Sequence, residues 1–211
     1  SRIANPSIYY LEGAIALLES YGADIETSCL ATASGMAAIQ SAVDPFLTVD
    51  QDNPDKPMNF VATTQVYGGT FQQFAVRKEK ERHIEWRKVT NSNDINDWAL
   101  KIDENTRFVF GEMPSNPGLA FFDLSAVIEL AHGKGIPVII DSTVATPVLM
   151  RPLTLGADIV VQSVSKTMSA SGFCIAGAVI SRKNIVSRYL CDDAKADFCS
   201  YLKLLPNRDN G

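Results

Sequence analysis

Short apolar runs alternate with amphipathic segments along the whole chain. Runs rich in β-branched and aromatic residues are typical of buried strands, and apolar residues at helical spacing are typical of helices that pack on a sheet. On these patterns we predict strands at residues 28–32, 59–63, 84–89, 107–112, 136–141, 158–162 and 176–180. We predict helices at residues 7–21, 36–47, 71–77, 94–101, 124–132 and over most of 184–205.

This alternation predicts an α/β fold with a mostly parallel sheet and helices on both faces. The last strand, at 176–180, is expected to be antiparallel or at an edge. Right-handed crossovers would place most carboxyl ends of the strands along one rim of the sheet. The polar residues that follow the predicted strands are Ser34, Tyr67, Asn116, Asp141, Ser163, Ser165 and Lys166.

An acid ends one predicted strand and a lysine follows the next. Asp141 closes the apolar run at 136–140, and Lys166 comes after the strand at 158–162. Ligands of parallel α/β sheets bind outside the carboxyl ends of the strands, so both side chains could reach one ligand. Pyridoxal phosphate needs a lysine for its aldehyde and an acid for its pyridine nitrogen, so the pair suggests this cofactor.

A strand, a small-residue turn and a helix around Ser34 and Gly35 have the general design of a phosphate site. The first amides of the helix and its positive dipole end would face an anion. Each candidate has a plainer interpretation when it is taken alone. Ser34 is then a helix cap, Tyr67 is core packing, and Lys166 is a solvated surface lysine.

Composition and charge exclude several classes of protein. Of the 211 residues, 46% are hydrophobic and 20% are charged, which is ordinary for a globular protein. A net charge of −5 without a dense basic block argues against nucleic acid as the main partner. No apolar run reaches the roughly 18 residues of a membrane span. The first strand is not followed by the G-x-G-x-x-G of a dinucleotide-binding domain.

The cysteines give no sign of a metal site. The chain has four cysteines and none of them forms a Cys-x-x-Cys pair. We therefore expect no metal, and a reduced, cytoplasmic setting fits this usage.

Six motifs occur in order along the chain. They are Ser1-Arg2…Asn5-Pro6, Ala33-Ser34-Gly35-Met36-Ala37-Ala38-Ile39, Tyr67-Gly68-Gly69-Thr70, Pro114-Ser115-Asn116-Pro117, the segment 141–147 and the segment 156–166. Together they resemble the Cys/Met-metabolism family of pyridoxal-phosphate enzymes, which includes cystathionine synthases and lyases, methionine γ-lyase and homoserine-ester sulfhydrylases. The resemblance implies that residues 1–211 form the large, cofactor-binding domain of a fold-type-I (aspartate-aminotransferase-like) enzyme.

The resemblance also implies roles for the candidate residues. Lys166 would bond to the cofactor aldehyde and later move protons between substrate carbons, and Asp141 would pair with the pyridinium nitrogen. Tyr67 would stack on the ring and assist departure of the leaving group, while Asn116 would hydrogen-bond near the ring hydroxyl. The residues implied for the phosphate are Ser34, Gly35, Met36, Ser163 and Ser165.

Arg2 resembles the family arginine that reaches the phosphate of a neighbouring subunit. This implies a homodimer or homotetramer with shared active sites. Both ends of the sequence are abrupt, so we expect a fragment of a longer protein that lacks the N-terminal arm and the C-terminal domain. That domain would supply the arginine for the substrate carboxylate.

The activity implied by the resemblance is γ-replacement or elimination on an activated homoserine, such as O-acylhomoserine with sulfide or cysteine. Gly69 stands where methionine γ-lyases carry a cysteine, which favours a sulfhydrylase or synthase. A cystathionine or methionine lyase is the alternative. The chain departs from the family pattern at Gln162, at Ser165 and over residues 167–172. The unusual segment after the lysine and the expected truncation leave open a non-catalytic domain that only binds or assembles.

Overall fold

The computed structural model describes residues 5–49, 56–170 and 172–209. Its centre is a seven-stranded sheet with the strand order β1-β7-β6-β5-β4-β2-β3. The strands are Thr27–Thr32 (β1), Asn59–Thr63 (β2), Glu85–Val89 (β3), Thr106–Glu112 (β4), Val138–Asp141 (β5), Ile159–Gln162 (β6) and Gly177–Arg182 (β7).

Six of the seven strands run in the same direction. The neighbours from β3 through to β6 are all parallel, and β7 is antiparallel to both β6 and β1. Because β1 is antiparallel to β7, its carboxyl end lies at the same rim as the carboxyl ends of β2 to β6. The prediction of a mostly parallel α/β sheet is confirmed.

Helices cover both faces of this sheet, as predicted. The α-helices are Pro6–Ser20 (α1), Gly35–Val43 (α2), Gly68–Gln72 (α3), Ile95–Ala99 (α4), Leu124–His132 (α5), Thr146–Leu149 (α6), Asp192–Ala196 (α7) and Phe198–Asp209 (α8). A π-helix, Gln73–Lys80, continues α3, and short 3₁₀ turns occupy Asp44–Leu47, Pro152–Leu155 and Thr167–Ser169.

The central strands are apolar on both sides because each face carries its own core. Ile139 packs in the cluster beneath α2 and α8, and Ile140 packs in the cluster beneath α4 and α5. A third cluster joins α1 to the strands at the β1 side of the sheet, around Ile15 and Val160. Alternate residues of a strand point to opposite faces, so both must be hydrophobic when both faces are covered.

The last strand was expected to be antiparallel or at an edge, and the first alternative is confirmed: β7 is antiparallel, and β1 pairs with its outer side as the edge strand. One prediction about the C-terminal part needs correction. Residues 184–191 are not helical. Asn184 has a positive φ of 55°, and the amides of Asn184 and Ile185 donate to the carbonyls of Ala196 and Lys195 instead of forming a helical ladder.

Candidate active site

A cavity of about 520 Å³ opens at the carboxyl ends of the strands. Its wall contains nine of the ten residues predicted for the site from the sequence. These are Ser34, Gly35, Met36, Tyr67, Asn116, Asp141, Ser163, Ser165 and Lys166. The tenth, Arg2, lies outside the described residues. The predicted rim therefore exists as one continuous surface, contributed by the segments after β1, β2, β4, β5 and β6.

The start of α2 forms one wall of the cavity. Ser34 is the N-cap, and its hydroxyl accepts a hydrogen bond from the Ala37 amide at 3.1 Å. The amides of Gly35 and Met36 precede the first intrahelical hydrogen bond, and neither has a partner within the described part of the chain. Free amides at a helix N-terminus favour an anion because their dipoles add to that of the helix.

Gly35 allows this helix to approach the end of β6 closely. A Cβ atom at Gly35 would lie 2.5 Å from the Cβ of Ser163 and 2.7 Å from its Oγ. Only a residue without a side chain permits that distance. The Ser163 hydroxyl is thereby held beside the free amides of α2.

Asp141 is buried at the end of β5, with 7% of its surface exposed. Its Oδ1 accepts hydrogen bonds from the Thr143 hydroxyl at 2.6 Å and from the Thr143 amide at 3.0 Å. Within the described residues no group donates to Oδ2. Burial raises the pKa of Asp141 above its usual range, and the two bonds from Thr143 oppose that effect. The carboxyl group thus has one oxygen fixed and the other available.

Thr143 links the ends of β5 and β6. While its hydroxyl donates to Asp141, the same oxygen accepts a hydrogen bond from the Ser163 amide at 2.8 Å. Sequence analysis did not select Thr143. An acid followed two residues later by a threonine after an apolar strand is a signal for such a local bond, since Asp side chains commonly accept from the backbone two residues on.

Glu112 is the acid that sequence analysis missed. It ends β4, lines the cavity and is 4% exposed. Its Oε2 accepts from the Tyr67 amide at 2.6 Å and its Oε1 from the Asn116 amide at 2.9 Å. Burial, and after it the charge of Asp141, raises the pKa of Glu112 to about 7, while the two amides lower it.

The Tyr67 side chain is 46% exposed, and it lies at the cavity beside Met36 and Gly69. A Cβ atom at Gly69 would lie 2.7 Å from the Tyr67 ring and 3.0 Å from the Met36 sulfur. The absence of a side chain at Gly69 therefore leaves room for the phenol ring in this position.

Lys166 is exposed at the cavity, and it precedes the 3₁₀ turn Thr167–Ser169. It is the single cationic side chain that the described residues contribute to the cavity wall, which also contains two acids, Glu112 and Asp141. The Ser165 hydroxyl holds this segment in place, because it donates to the Ala176 carbonyl at 3.0 Å and accepts from the Ala176 amide at 2.8 Å. Ser165 therefore lines the cavity with its hydroxyl already bonded to the segment that leads into β7.

Comparison with solved structures gives the class of protein. A chain assigned as an O-acetylhomoserine (thiol)-lyase from Campylobacter jejuni, determined with N'-pyridoxyl-lysine-5'-monophosphate, superposes with a TM-score of 0.75 at 33% identity. The match covers 87% of this chain and 42% of that one. The fold is that of the large domain of fold-type-I pyridoxal-phosphate enzymes.

The sequence comparisons then give the family. The model of the Cys/Met metabolism PLP-dependent enzymes matches residues 1–194, and the chain belongs to this family. It is 34% identical to O-acetyl-L-homoserine sulfhydrylase of Corynebacterium glutamicum over 85% of its length, and 37% identical to cystathionine beta-lyase MetC of Bacillus subtilis over 84%. The chain spans 38% and 42% of the lengths of these two relatives.

The residues present fit the cofactor of this family. Two free amides of α2 and the Ser163 hydroxyl lie close together because Gly35 has no side chain, and these groups suit a phosphate. The available Oδ2 of buried Asp141 suits a protonated ring nitrogen. The described residues contain no group of three or more His, Cys, Asp or Glu side chains that could hold a metal ion. No helix in the same residues has the length and apolarity to span a membrane.

Proposed function

We propose that this chain is the cofactor-binding part of a pyridoxal-phosphate-dependent enzyme that replaces the γ-substituent of an activated homoserine, such as an O-acyl ester, with sulfide or a thiol. The observation that carries the proposal is the convergence of Lys166, Asp141 and the free amides of α2 on one cavity. Membership of the Cys/Met metabolism family and the similarity to a sulfhydrylase support it.

Asp141 would hold a proton on the ring nitrogen of the cofactor through its free Oδ2. The two hydrogen bonds from Thr143 fix the orientation of the carboxyl group. Burial strengthens the interaction of Asp141 with a cationic partner, because charges interact more strongly away from water. With the ring nitrogen protonated, the bound cofactor acts as an electron sink for the substrate carbons.

The phosphate would be held by the amides of Gly35 and Met36 and by the Ser163 hydroxyl. Ser34 and Ser165 have their hydroxyls bonded to Ala37 and Ala176, so they would act mainly by shaping the two turns.

Lys166 would bond to the cofactor aldehyde and, when released, carry protons between substrate carbons. Tyr67 would cover one face of the ring and give a proton to the leaving group. Asn116 would bond to the ring edge. Each of these side chains lines the cavity, at the ends of different strands.

A visible-edge absorbance band in the full-length protein tests cofactor binding. We expect the band in the wild type, its loss in Lys166→Ala, and its retention in the control Lys80→Ala, whose exposed side chain lies at the end of the π-helix. A full-length wild type without the band would overturn the proposal.

The reaction is tested by assaying an O-acylhomoserine with sulfide against cystathionine alone. We expect homocysteine from the first assay and little keto acid from the second. Keto acid as the main product would show that the enzyme is a lyase and not a sulfhydrylase. Gly69 favours the sulfhydrylase, because methionine γ-lyases of this family carry a cysteine at this position.

We further propose that the enzyme is a cytoplasmic homodimer or homotetramer with Arg2 reaching a neighbouring active site. The four cysteines are free, which suits a reducing compartment. On the outer side of α1, Tyr10, Leu17 and Tyr21 are 82%, 64% and 69% exposed, a suitable surface for another subunit. Light scattering on the full-length protein would reveal a monomer if the oligomer proposal is wrong.

A further inference from the structure

Glu112 is a buried acid without a cationic partner in the described part of the chain. It is 4% exposed, and no ion pair to it is found among these residues. A carboxyl group is costly to bury unless its oxygens are hydrogen-bonded. Both carboxylate oxygens of Glu112 accept a hydrogen bond, and the identity of the donors indicates what the residue does.

Both partners of Glu112 are backbone amides at the cavity. Oε2 accepts from Tyr67, in the turn after β2, and Oε1 accepts from Asn116, in the turn after β4. The two turns are otherwise separate in sequence, and each carries a side chain that lines the cavity. One buried side chain therefore joins them.

Glu112 also stands directly beside Asp141. The two residues are register partners on the neighbouring parallel strands β4 and β5, so their side chains leave the sheet on the same face. The charge of Asp141 contributes to the raised pKa of Glu112. Glu112, which joins the two turns, thus lies on β4 next to the strand of Asp141, the acid that would hold the ring nitrogen.

We propose that Glu112 is a positioning residue of this site, whose two carboxylate oxygens fix the turns carrying Tyr67 and Asn116 against the bound cofactor. This inference rests on the proposed function for the identity of the ligand. Glu112 acts through the two turns and is not itself in contact with the reacting atoms.

Only a carboxyl group with both oxygens free to accept suits this arrangement. Glutamine has the same shape, but its NH₂ group would face one of the two amides donor to donor. Glu112→Gln therefore removes one of the two hydrogen bonds to the backbone amides of Tyr67 and Asn116, and it leaves the packing volume unchanged.

The test uses full-length apoprotein titrated with pyridoxal phosphate and followed by visible absorbance and visible circular dichroism. We expect Glu112→Gln to weaken cofactor binding roughly 10-fold, the usual cost of leaving a buried donor unpaired, and to change the dichroism of the bound cofactor. Glu129→Gln is the matched control, because Glu129 is exposed on α5. It should bind as the wild type does.

A second variant separates positioning from general structural damage. If Glu112 acts partly through Tyr67, then Glu112→Gln should cost at least roughly threefold less affinity in a Tyr67→Ala background than alone, because coupled residues are not additive. Additive effects, or unchanged affinity and dichroism in Glu112→Gln, would overturn the inference and leave the proposed function standing. A wild type that binds no cofactor would overturn both.

Discussion

Glu19 and Glu112 are both buried acids, and burial is the main cause that raises the pKa of each to about 7. Their surroundings differ. Glu112 faces the cavity and has both oxygens bonded to backbone amides. Glu19 lies on α1 against β6, where its Oε1 accepts from the side-chain amide of Gln162 at 2.8 Å and its Oε2 has no partner among the described residues.

Two buried oxygen atoms without a partner among the described residues explain how a protonated Glu19 is accommodated. Gln162 Oε1 is also buried and has no partner in the part of the chain that the structure describes. A protonated Glu19 can donate from Oε2 to that oxygen, which completes a reciprocal pair between an acid and an amide. The comparison teaches that a raised pKa alone does not mark an active site. Glu19 fastens a helix to the sheet, whereas Glu112 belongs to a cavity.

Asp141→Asn in the cavity should have the largest effect. Loss of the carboxylate at the ring nitrogen should lower kcat/KM of the full-length enzyme roughly 100- to 1,000-fold, as removal of one preorganised electrostatic partner does elsewhere. The same acid-to-amide change at Glu19 should leave kcat/KM within about twofold of wild type. Steady-state kinetics checks both, and similar losses in the two variants would erase the distinction between the regions.

Glu19→Gln should instead change the pH dependence of stability. The pKa of Glu19 in the folded state, about 7, lies above the ordinary glutamate value of 4.5, so the folded protein holds this proton more tightly. Stability from Glu19 is therefore full below about pH 4.5 and is lost as the pH rises towards 7, by up to roughly 3 kcal/mol. Denaturant unfolding at pH 5 and pH 8 should show a smaller difference in the variant. An unchanged difference would contradict the assignment.

Two glycines extend the comparison to backbone packing. Gly35→Ala forces a Cβ against Ser163 and should cost about 1–3 kcal/mol of stability and weaken cofactor binding. Gly13 lies within α1. Apart from its chain neighbours and the backbone of its own helix, no atom of the described residues lies within 4 Å of an added Cβ, so Gly13→Ala should stabilise by about 0.5–1 kcal/mol. Thermal unfolding should show a lower melting temperature for Gly35→Ala and a higher one for Gly13→Ala. A stabilising Gly35→Ala would show that the α2 turn can move away from β6.

An effect as small as that of Gly13→Ala is expected at Ala170, four residues after Lys166. Its φ of 59° lies in a region that favours glycine. Ala170→Gly should therefore stabilise the protein by about 0.5–1 kcal/mol, in the opposite sense of substitution to Gly13→Ala. A lower melting temperature in this variant would mean that the Ala170 side chain contributes contacts that outweigh the strain.

Local patterns were sufficient to predict most strands and the residues that follow them. Asp141 and Ser163 were found because each comes directly after an apolar run, and that relation is written in the sequence itself. Residues 184–191 were missed because long-range hydrogen bonds to α7 replace the helix that their composition suggested.

Strand order and register could not be derived from local patterns. Glu112 ends its strand just as Asp141 does, but its importance depends on β4 lying beside β5 and on the turn after β2 folding over it. The same limit left open whether β7 would be antiparallel or at an edge. Its outer neighbour, β1, comes from the other end of the described chain.

The pairing of β1 with β7 has a consequence for how the protein is made. Thr27 pairs with Arg182, so β1 finds its place only after β7, near the other end of the described chain, has been synthesised. Closing so long a loop is entropically costly and slows folding. The turn at Ser34–Met36 follows β1 directly, so we expect its place at the cavity to depend on this late pairing. A chain interrupted before β7 would leave the ribosome with most of its parallel sheet and no place for a phosphate.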